Sequence, residues 1–441
     1  MKIPEVLLIE VEHAPGNLSK VLGAVGNAGH TVEGLEAVSR SQDKTTWELT
    51  LEIDADACSD VFKQIDSVPE AKLLGRSDRV FTRHAGGKIK TVGRSLISDQ
   101  QYLRDVYTPG VARVCLSIQE EPAKAREYTA IGDTVAIVTD GTAILGLGDI
   151  GSVAGMPVME GKAALFSQLA GVSGVPILLD TKDPEQIIET VTRIAPTFGA
   201  IQLEDIAAPA CFEIEARLAE GLDIPVLHDD QHGTATVVLA ALITSARRAG
   251  VDLNKATIGQ IGLGAAGLGI VRLLRAYGVG RLLGSDLREP ALARLEAIGG
   301  ERSTLEGVMA ECDVVIATTG VRGLIKPEMV RKGHVILALT NPDPEIEPGV
   351  ALAHGAAYAA DGKNVNNVLA FPGLFRGALD ARAKKFTDAM LIAAAETIAA
   401  MTNERTLVPT PLDEKVHRAV AGAVHEAALE GGAAICMPGK G

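Results

Sequence analysis

The sequence predicts an α/β protein built on parallel sheets and preceded by a small α+β unit, and three stretches carry that prediction. In the first, the apolar run Gly199–Leu203 ends on Glu204-Asp205, a helical pattern follows, and the run Ile224–Leu227 ends on Asp229-Asp230. Two strands joined by a crossover helix are parallel, so both acidic pairs emerge at the same sheet edge. In the second, Thr257–Ile261 reads as a strand, Gly262-Leu263-Gly264-Ala265-Ala266-Gly267 opens a helix, and Arg281–Ser285 supplies the next strand. The third is residues 1–80, whose apolar period alternates between 2 and 3.6 in the order βαββαβ.

Composition narrows the class. The 441 residues suffice for two or three domains. Aromatics at 3% alongside 47 glycines suit tightly packed α/β layers better than a β-sandwich. A net charge of -14 argues against nucleic acid or an anionic membrane as partner. Cys58, Cys115, Cys211, Cys312 and Cys436 are scattered with no CxxC, which implies a reduced compartment without disulfides or a zinc cluster. Glu10 and Glu12 interrupt the N-terminal apolar run, so no signal peptide is expected. The longest uncharged run, Ala163–Leu179, carries Ser, Gln, Gly and Pro and reads as helix plus strand, not a membrane span. A soluble, cytoplasmic protein is expected.

In order along the chain, Val6–Glu12 is a strand and Ala14-Pro15-Gly16-Asn17 a turn. Leu18, Val21, Leu22 and Val25 mark one helical face. Thr31–Val38 and Thr46–Ile53 are strands, the second alternating Trp47, Leu49, Leu51 and Ile53 with polar residues. Cys58, Val61, Phe62 and Ile65 line a second helix, and Ala71–Leu74 begins the last strand. This ferredoxin-like order, with a Pro-Gly turn before its first helix, resembles the ACT domain, a regulatory module that often binds amino acids between paired copies. The segment is therefore either an effector-binding unit of that kind or a dimerisation module without a ligand.

Thr82–Gly93 reads as a linker around Gly86-Gly87. In the segment VYTPGVA at 106–112, Pro109-Gly110 end a helix or set a turn directly after Tyr107, a residue that packing alone would also explain. Thr134–Leu147 reads as a hairpin turning at Asp140-Gly141. Gly146–Lys162 then opens a helix over Ala163–Ala170. It is not a phosphate-binding P-loop, because five residues separate Gly155 from Gly161 and Ala163 replaces the required Ser/Thr. Lys162 is left at a helix start, where the dipole and an apolar setting would lower its pKa toward that of a base, unless it snorkels from the surface. Val175–Leu179 is a buried strand, Pro184–Ile194 a helix, and Thr234–Ala249 a long apolar helix.

The acidic stretch and the glycine stretch carry chemistry. Carboxylates gathered at the carboxyl edge of an open sheet, where such sheets bind ligands, repel one another unless a cation holds them, and an oxygen-only set suits Mg²⁺ or Mn²⁺. The alternative is that they merely end strands and cap helices. The glycine motif sits between strand and helix, with Asp286 about twenty residues on, which is the context of a Rossmann unit. Gly262, Gly264, Ala265, Ala266 and Gly267 would let the backbone approach a pyrophosphate at the helix N-terminus. Asp286 favours NAD, since its carboxylate repels a 2′-phosphate, while Arg288 works the other way and leaves NADP open. Asp313–Thr319 and His334–Leu339 continue the sheet, the latter bringing Asn341 to its carboxyl edge. NVNNVLAFPG at 364–373 places Asn366 and Asn367 before a Phe-Pro-Gly turn, and the helices Asp388–Ala400 and Glu414–Glu430 pack back on the metal-binding half.

Residues from about 95 to 435 resemble the malic enzymes, in their shorter, NAD-dependent bacterial branch. The resemblance rests on VYTPGVA at 106–112, TDGTAILGLGDIGSVAGMPVMEGK at 139–162, LED at 203–205 and HDDQHGTA at 228–235, with TNPDPEI at 340–346 and NNVLAFPG at 366–373. It implies a decarboxylating malate dehydrogenase that forms pyruvate and CO₂ with NAD and a divalent metal. By the same resemblance Tyr107 is the general acid and Lys162 the general base with Asp229 beside it. Glu204, Asp205 and Asp230 would hold the metal, and Asn341 and Asn367 would contact malate and the nicotinamide. His228 and His232 are read as supporting or packing residues, because hard oxygen ligands outnumber them. Larger family members carry an arginine where this chain has Ala143, so a carboxylate clamp must come from elsewhere or be absent.

The expected layout is an ACT-like domain over 1–82, a metal/substrate domain over 83–229 and 368–441, and a Rossmann domain over 230–367. Malate is the expected substrate, a small effector would bind the N-terminal unit, and a homo-oligomer, dimer or higher, is expected. Two rivals stand beside this reading. One is a malolactic-type enzyme releasing lactate, and the other is a non-catalytic metabolite sensor, which would need no proton relay.

Overall fold

The computed structural model describes residues 2–54, 58–77, 79–144, 147–341, 343–363 and 365–434. Leu145, Gly146, Pro342, Asn364 and Cys436, which belong to stretches singled out above, lie outside them. The chain divides into two compact units, Met1–Lys88 and Ile89–Gly441.

In the first unit, β1 (Lys2–Glu12), α1 (Asn17–Asn27), β2 (Val32–Arg40), β3 (Lys44–Asp54), α2 (Cys58–Asp66) and β4 (Ala71–Arg76) follow the expected order, and α3 (Arg79–His84) closes it. The strands form an antiparallel sheet β2-β3-β1-β4, the ferredoxin-like arrangement. Period-2 alternation turns Leu7, Ile9, Leu49 and Leu51 to one face, where they pack on Val21 and Val25 of α1 and Val61 and Ile65 of α2. Gly16 precedes α1 at φ 86°, a left-handed conformation that explains the glycine in the Pro-Gly turn.

The second unit opens with three short helices, α4 (Gln100–Val106), α5 (Val111–Glu120) and α6 (Ala125–Tyr128). Then come β5 (Thr134–Thr139), α7 (Met156–Ala170), β6 (Ser173–Leu178), α8 (Pro184–Ile194), β7 (Ala200–Leu203), α9 (Ala210–Gly221) and β8 (Val226–His228). The four strands form a parallel sheet, β6-β5-β7-β8. The hairpin expected over 134–147 is not formed. All six residues of β5 are buried, and the strand pairs in parallel with β6 on one side and β7 on the other, so its partners come from later in the chain. Gly141, at φ 74°, serves a close loop approach instead, since a Cβ there would meet the Gly151 backbone at 2.4 Å.

A 21-residue helix, α10 (Asp229–Ala249), follows β8 directly. It begins earlier than expected, so Asp229 and Asp230 occupy its first turn, where the dipole favours carboxylates. The second parallel sheet comprises β9 (Thr257–Ile261), β10 (Arg281–Ser285), β11 (Glu301–Arg302), β12 (Val314–Ala317), β13 (Val335–Ala338) and β14 (Tyr358–Asp361). Its intervening helices are α11 (Ala265–Tyr277), α12 (Glu289–Ala297), α13 (Leu305–Glu311) and α14 (Pro348–Ala353). The strand order β11-β10-β9-β12-β13-β14 is that of a dinucleotide-binding sheet, with its switch point between β9 and β12.

The chain finishes with α15 (Phe371–Asp380), α16 (Asp388–Ala400) and α17 (Glu414–Glu430). Phe371-Pro372 was expected to form a turn, but it starts α15, because proline's fixed φ suits the first helical turn. Helices α15 and α17 pack on α7, whereas α16, expected with α17 on the metal-binding half, packs on α10 and α11. Among the described residues, no helix is long and apolar enough to cross a membrane.

Candidate active site

The parallel register pairs Leu203 with His228, so Glu204-Asp205 and Asp229-Asp230 leave adjacent strands at one edge. Oxygens of Glu204, Asp205 and Asp230 lie within 4.8 Å of one another. Asp205 has φ 52°, uncommon for a residue with a Cβ, and its backbone N–H donates to Asp230 Oδ2 at 3.0 Å. Burial pushes the Glu204 carboxyl well up, and Asp229, Asp230 and Asp205 add to the rise against the pull of Lys162. Three converging carboxylates with a surplus of negative charge fit a hard divalent cation such as Mg²⁺ or Mn²⁺.

Lys162 is the seventh residue of α7, not a helix-start residue, because the Gly155–Pro157 segment begins the helix earlier. It lies on the buried stripe with Met159, Ala163, Phe166 and Leu169. That stripe sits tight on β6, where a Cβ at Gly174 would meet the Ala163 Cα at 2.8 Å. The Lys162 Nζ donates to Asp229 Oδ2 at 2.5 Å, pairs with Glu204 Oε1 at 2.7 Å, and lies 4.4 Å from the centre of the Phe371 ring. The expected depression of its pKa is reversed. Burial does lower it, but the Asp229 and Glu204 carboxylates outweigh burial and hold the ammonium above its ordinary value. Asn367 Nδ2 donates to the same Asp229 oxygen at 2.6 Å, so residues from α7, β8–α10 and the segment before α15 meet at one carboxylate.

Glu215 was missed by sequence reasoning. Its carboxylate accepts from the His228 backbone N–H at 2.7 Å and from Gln231 Nε2 at 3.0 Å, and lies 3.0 Å from His232 Nε2. Burial would raise it, yet His232 and His228 hold it below its ordinary value. The signal was an acid on the inner face of α9, since Cys211, Glu215 and Leu218 follow the i, i+4, i+7 spacing. Glu215 thereby anchors the α10 turn that carries Asp229 and Asp230, and His228 Nε2 lies 3.5 Å from Asp230 Oδ2.

At the dinucleotide edge, Gly262 has φ 86° and Gly264 has open space where a Cβ would stand. A Cβ at Gly267 would meet the Gly262 carbonyl oxygen at 2.0 Å, so helix and strand approach too closely for any side chain. Ala265 and Ala266 open α11 directly after Gly264. A cavity of about 520 Å³ runs from Gly262 and Gly264 to Asp286, Arg288, Thr318 and Val321, room for a dinucleotide's adenosine and pyrophosphate. Asp286 accepts from Leu263 N–H at 2.8 Å and from Arg288 Nε at 3.1 Å, so Arg288 is folded onto the acid. If Asp286 is the ribose acceptor, Asp286→Ala is expected to lower the NAD-to-NADP ratio of kcat/KM at least about tenfold, because it would also free Arg288 for a 2′-phosphate. Steady-state kinetics with both cofactors checks it.

Two expected site residues are not drawn into the cluster. Tyr107 caps the end of α4, is 68% exposed, and among the described residues hydrogen-bonds only through its backbone. Asn341 stands at the carboxyl edge of β13 and donates to the Gly362 carbonyl at 3.1 Å. Ala143 contributes only backbone, its N–H bonding the Asp205 carbonyl at 2.9 Å.

Residues 86–219 match the family model described as malic enzyme, N-terminal domain, and residues 354–428 match that of malic enzyme, NAD binding domain. The chain is 57% identical over 426 residues to the NAD-dependent malic enzyme 1 of Bacillus subtilis, covering 96% of this chain and 97% of that protein. It is 43% identical to the bifunctional malic/malolactic enzyme of the same organism, over 79% of this chain and 91% of that one. The crystal structure of malic enzyme from Pyrococcus horikoshii superposes with a TM-score of 0.77 at 38% identity, covering 82% of this chain and 92% of the other.

Proposed function

The chain belongs to the malic enzyme family, and from that premise we propose how its own residues oxidise and decarboxylate malate. It is a decarboxylating malate oxidoreductase that forms pyruvate and CO₂ with reduction of NAD and depends on a divalent metal. The observation that carries the residue assignment is the buried Lys162–Asp229–Asn367 network beside three convergent carboxylates. Glu204, Asp205 and Asp230 would hold the divalent metal, which when bound would supply positive charge that acidifies the substrate hydroxyl and stabilises the enolate. Lys162, in its neutral form and held beside Asp229 Oδ2, takes the C2 hydroxyl proton at Nζ as hydride leaves for the nicotinamide. Asn367 holds the Asp229 carboxylate in place for that step. Asn341, at the neighbouring sheet edge, serves the nicotinamide end. Tyr107 protonates C3 once CO₂ has left. Incubation with malate, NAD and Mn²⁺ should yield NADH, CO₂ and pyruvate in equal amounts. Lactate without net NADH would favour the malolactic reading, which the 43% identical bifunctional relative keeps in view. Absence of any turnover would favour the sensor.

Tyr107 acts, in this reading, in the site of a second copy. Neither α4 nor α5 buries a residue, yet Leu103, Val106 and Leu116 are apolar and exposed beside the tyrosine, a surface that suits a homodimer. Tyr107→Phe should spare oxaloacetate reduction and lose pyruvate formation. Mixing it with Lys162→Ala should then restore roughly a quarter of wild-type activity through mixed dimers. No recovery on mixing would put Tyr107 back in its own chain's site.

The two parallel sheets, and the packing of α15 and α17 on α7, support a metal/substrate domain over 83–229 and 368–441 and a cofactor domain over 230–367. The N-terminal sheet supports an ACT-like regulatory unit that binds a small amino or organic acid. Protein lacking residues 1–88 should keep malate oxidation and lose its response to such a metabolite, and a folded but inactive truncation would instead make the unit part of the active site. Free Cys115 and Cys211 and Cys312 support a reducing, cytoplasmic setting.

A further inference from the structure

Glu345 is fully buried, and among the described residues no basic side chain pairs with it. A carboxylate in that setting is costly unless donors surround it. Its donors come from the ends of two neighbouring strands. Oε1 accepts from the Thr319 backbone N–H at 2.7 Å, the Thr319 hydroxyl at 2.8 Å and the Thr340 hydroxyl at 2.5 Å, and Oε2 accepts from the Thr340 N–H at 3.3 Å. Because the carboxylate acts only as acceptor, both hydroxyls must point their protons at it. Their lone pairs are thereby turned to the 319–321 turn, where Thr340 Oγ1 accepts from Gly320 N–H at 2.9 Å and Thr319 Oγ1 from Val321 N–H at 3.1 Å.

That turn is a wall of the dinucleotide cavity, which Thr318, Thr319 and Val321 line. Thr340 directly precedes Asn341. Gln260 extends the set, its Nε2 donating to Thr318 Oγ1 at 2.8 Å and to the Gly262 carbonyl at 3.0 Å. We propose that Glu345 is a positioning residue for the reaction, one that sets the polarity of two threonine hydroxyls and so holds the 318–321 wall in the shape that receives NAD. This rests on the dinucleotide-binding reading above. A glutamine at 345 would turn an amide N–H toward one of the existing donors and leave an unmatched contact.

The test uses the whole protein and two readouts, the Kd for NADH by fluorescence titration and the KM for NAD against kcat. Glu345→Gln should weaken NADH binding and raise the KM for NAD by about ten- to a hundredfold. Its kcat at saturating NAD should stay within about threefold of wild type, far below the roughly hundred- to thousandfold loss that removing a transition-state donor causes. Thr319→Val, which keeps the shape and removes one hydroxyl, should move the same constants in the same direction, and it serves should Glu345→Gln fail to fold. A lowered melting temperature with unchanged NADH affinity in both variants would overturn the proposal and make Glu345 a fold-stabilising group only. Wild-type protein that binds no NADH would instead sink the dinucleotide reading itself.

Discussion

Lys162→Ala should lower kcat/KM for malate by about 10³- to 10⁴-fold, the size of a lost general base. Oxaloacetate reduction should fall with it, because the same nitrogen must return the proton to the C2 oxygen. The geometry makes this the most damaging single change in the site. Lys162 meets both Asp229 and Glu204, and removing it leaves two buried carboxylates facing each other with no ammonium between them. Thermal unfolding separates a lost base from a lost fold, and a folded variant with near-normal oxaloacetate reduction would exclude the role. The wild-type pH profile tests the same assignment. The neutral amine is the acceptor and its neighbours favour the charged form, so kcat/KM should rise as pH rises through the accessible range.

Asp230→Ala should raise the Mn²⁺ concentration needed for half-maximal activity by about two orders of magnitude or more, since even groups one step removed from a metal cost ten- to a hundredfold. Of the three candidate ligands it is the cleanest to change. Its side chain is 34% exposed, whereas Glu204 is buried and also receives the Gln202 amide at 2.6 Å. The Asp230 oxygen that accepts the Asp205 N–H helps hold the strained φ of Asp205, so its loss also loosens a second ligand. Binding can be read without turnover, as the rise in melting temperature on adding Mn²⁺ to the wild type, which the variant should lose. An unchanged Mn²⁺ titration would remove Asp230 from the metal site.

What the sequence determined by itself was whatever depends on near neighbours in the chain. Apolar runs ending on Glu204-Asp205 and Asp229-Asp230 gave parallel strands with acids at one edge, because a crossover helix leaves no other arrangement. The glycine motif at 262–267 placed the dinucleotide edge, because at Gly262 and Gly267 only a missing side chain permits the backbone contacts found there. Tertiary structure decided whatever depends on residues far apart in sequence. The six residues of β5 read as one arm of a hairpin, since a short apolar run is the same whether its partners are adjacent or arrive dozens of residues later. The charge state of Lys162 came out opposite to expectation because a pKa answers to groups within a few ångströms, and Asp229 is 67 residues away along the chain. Neither Glu215 nor Glu345 could be singled out in the sequence, because the donors that fix each carboxylate come from other elements. The placement of Tyr107, exposed on helices that bury nothing, could be read only from where the rest of the chain packs.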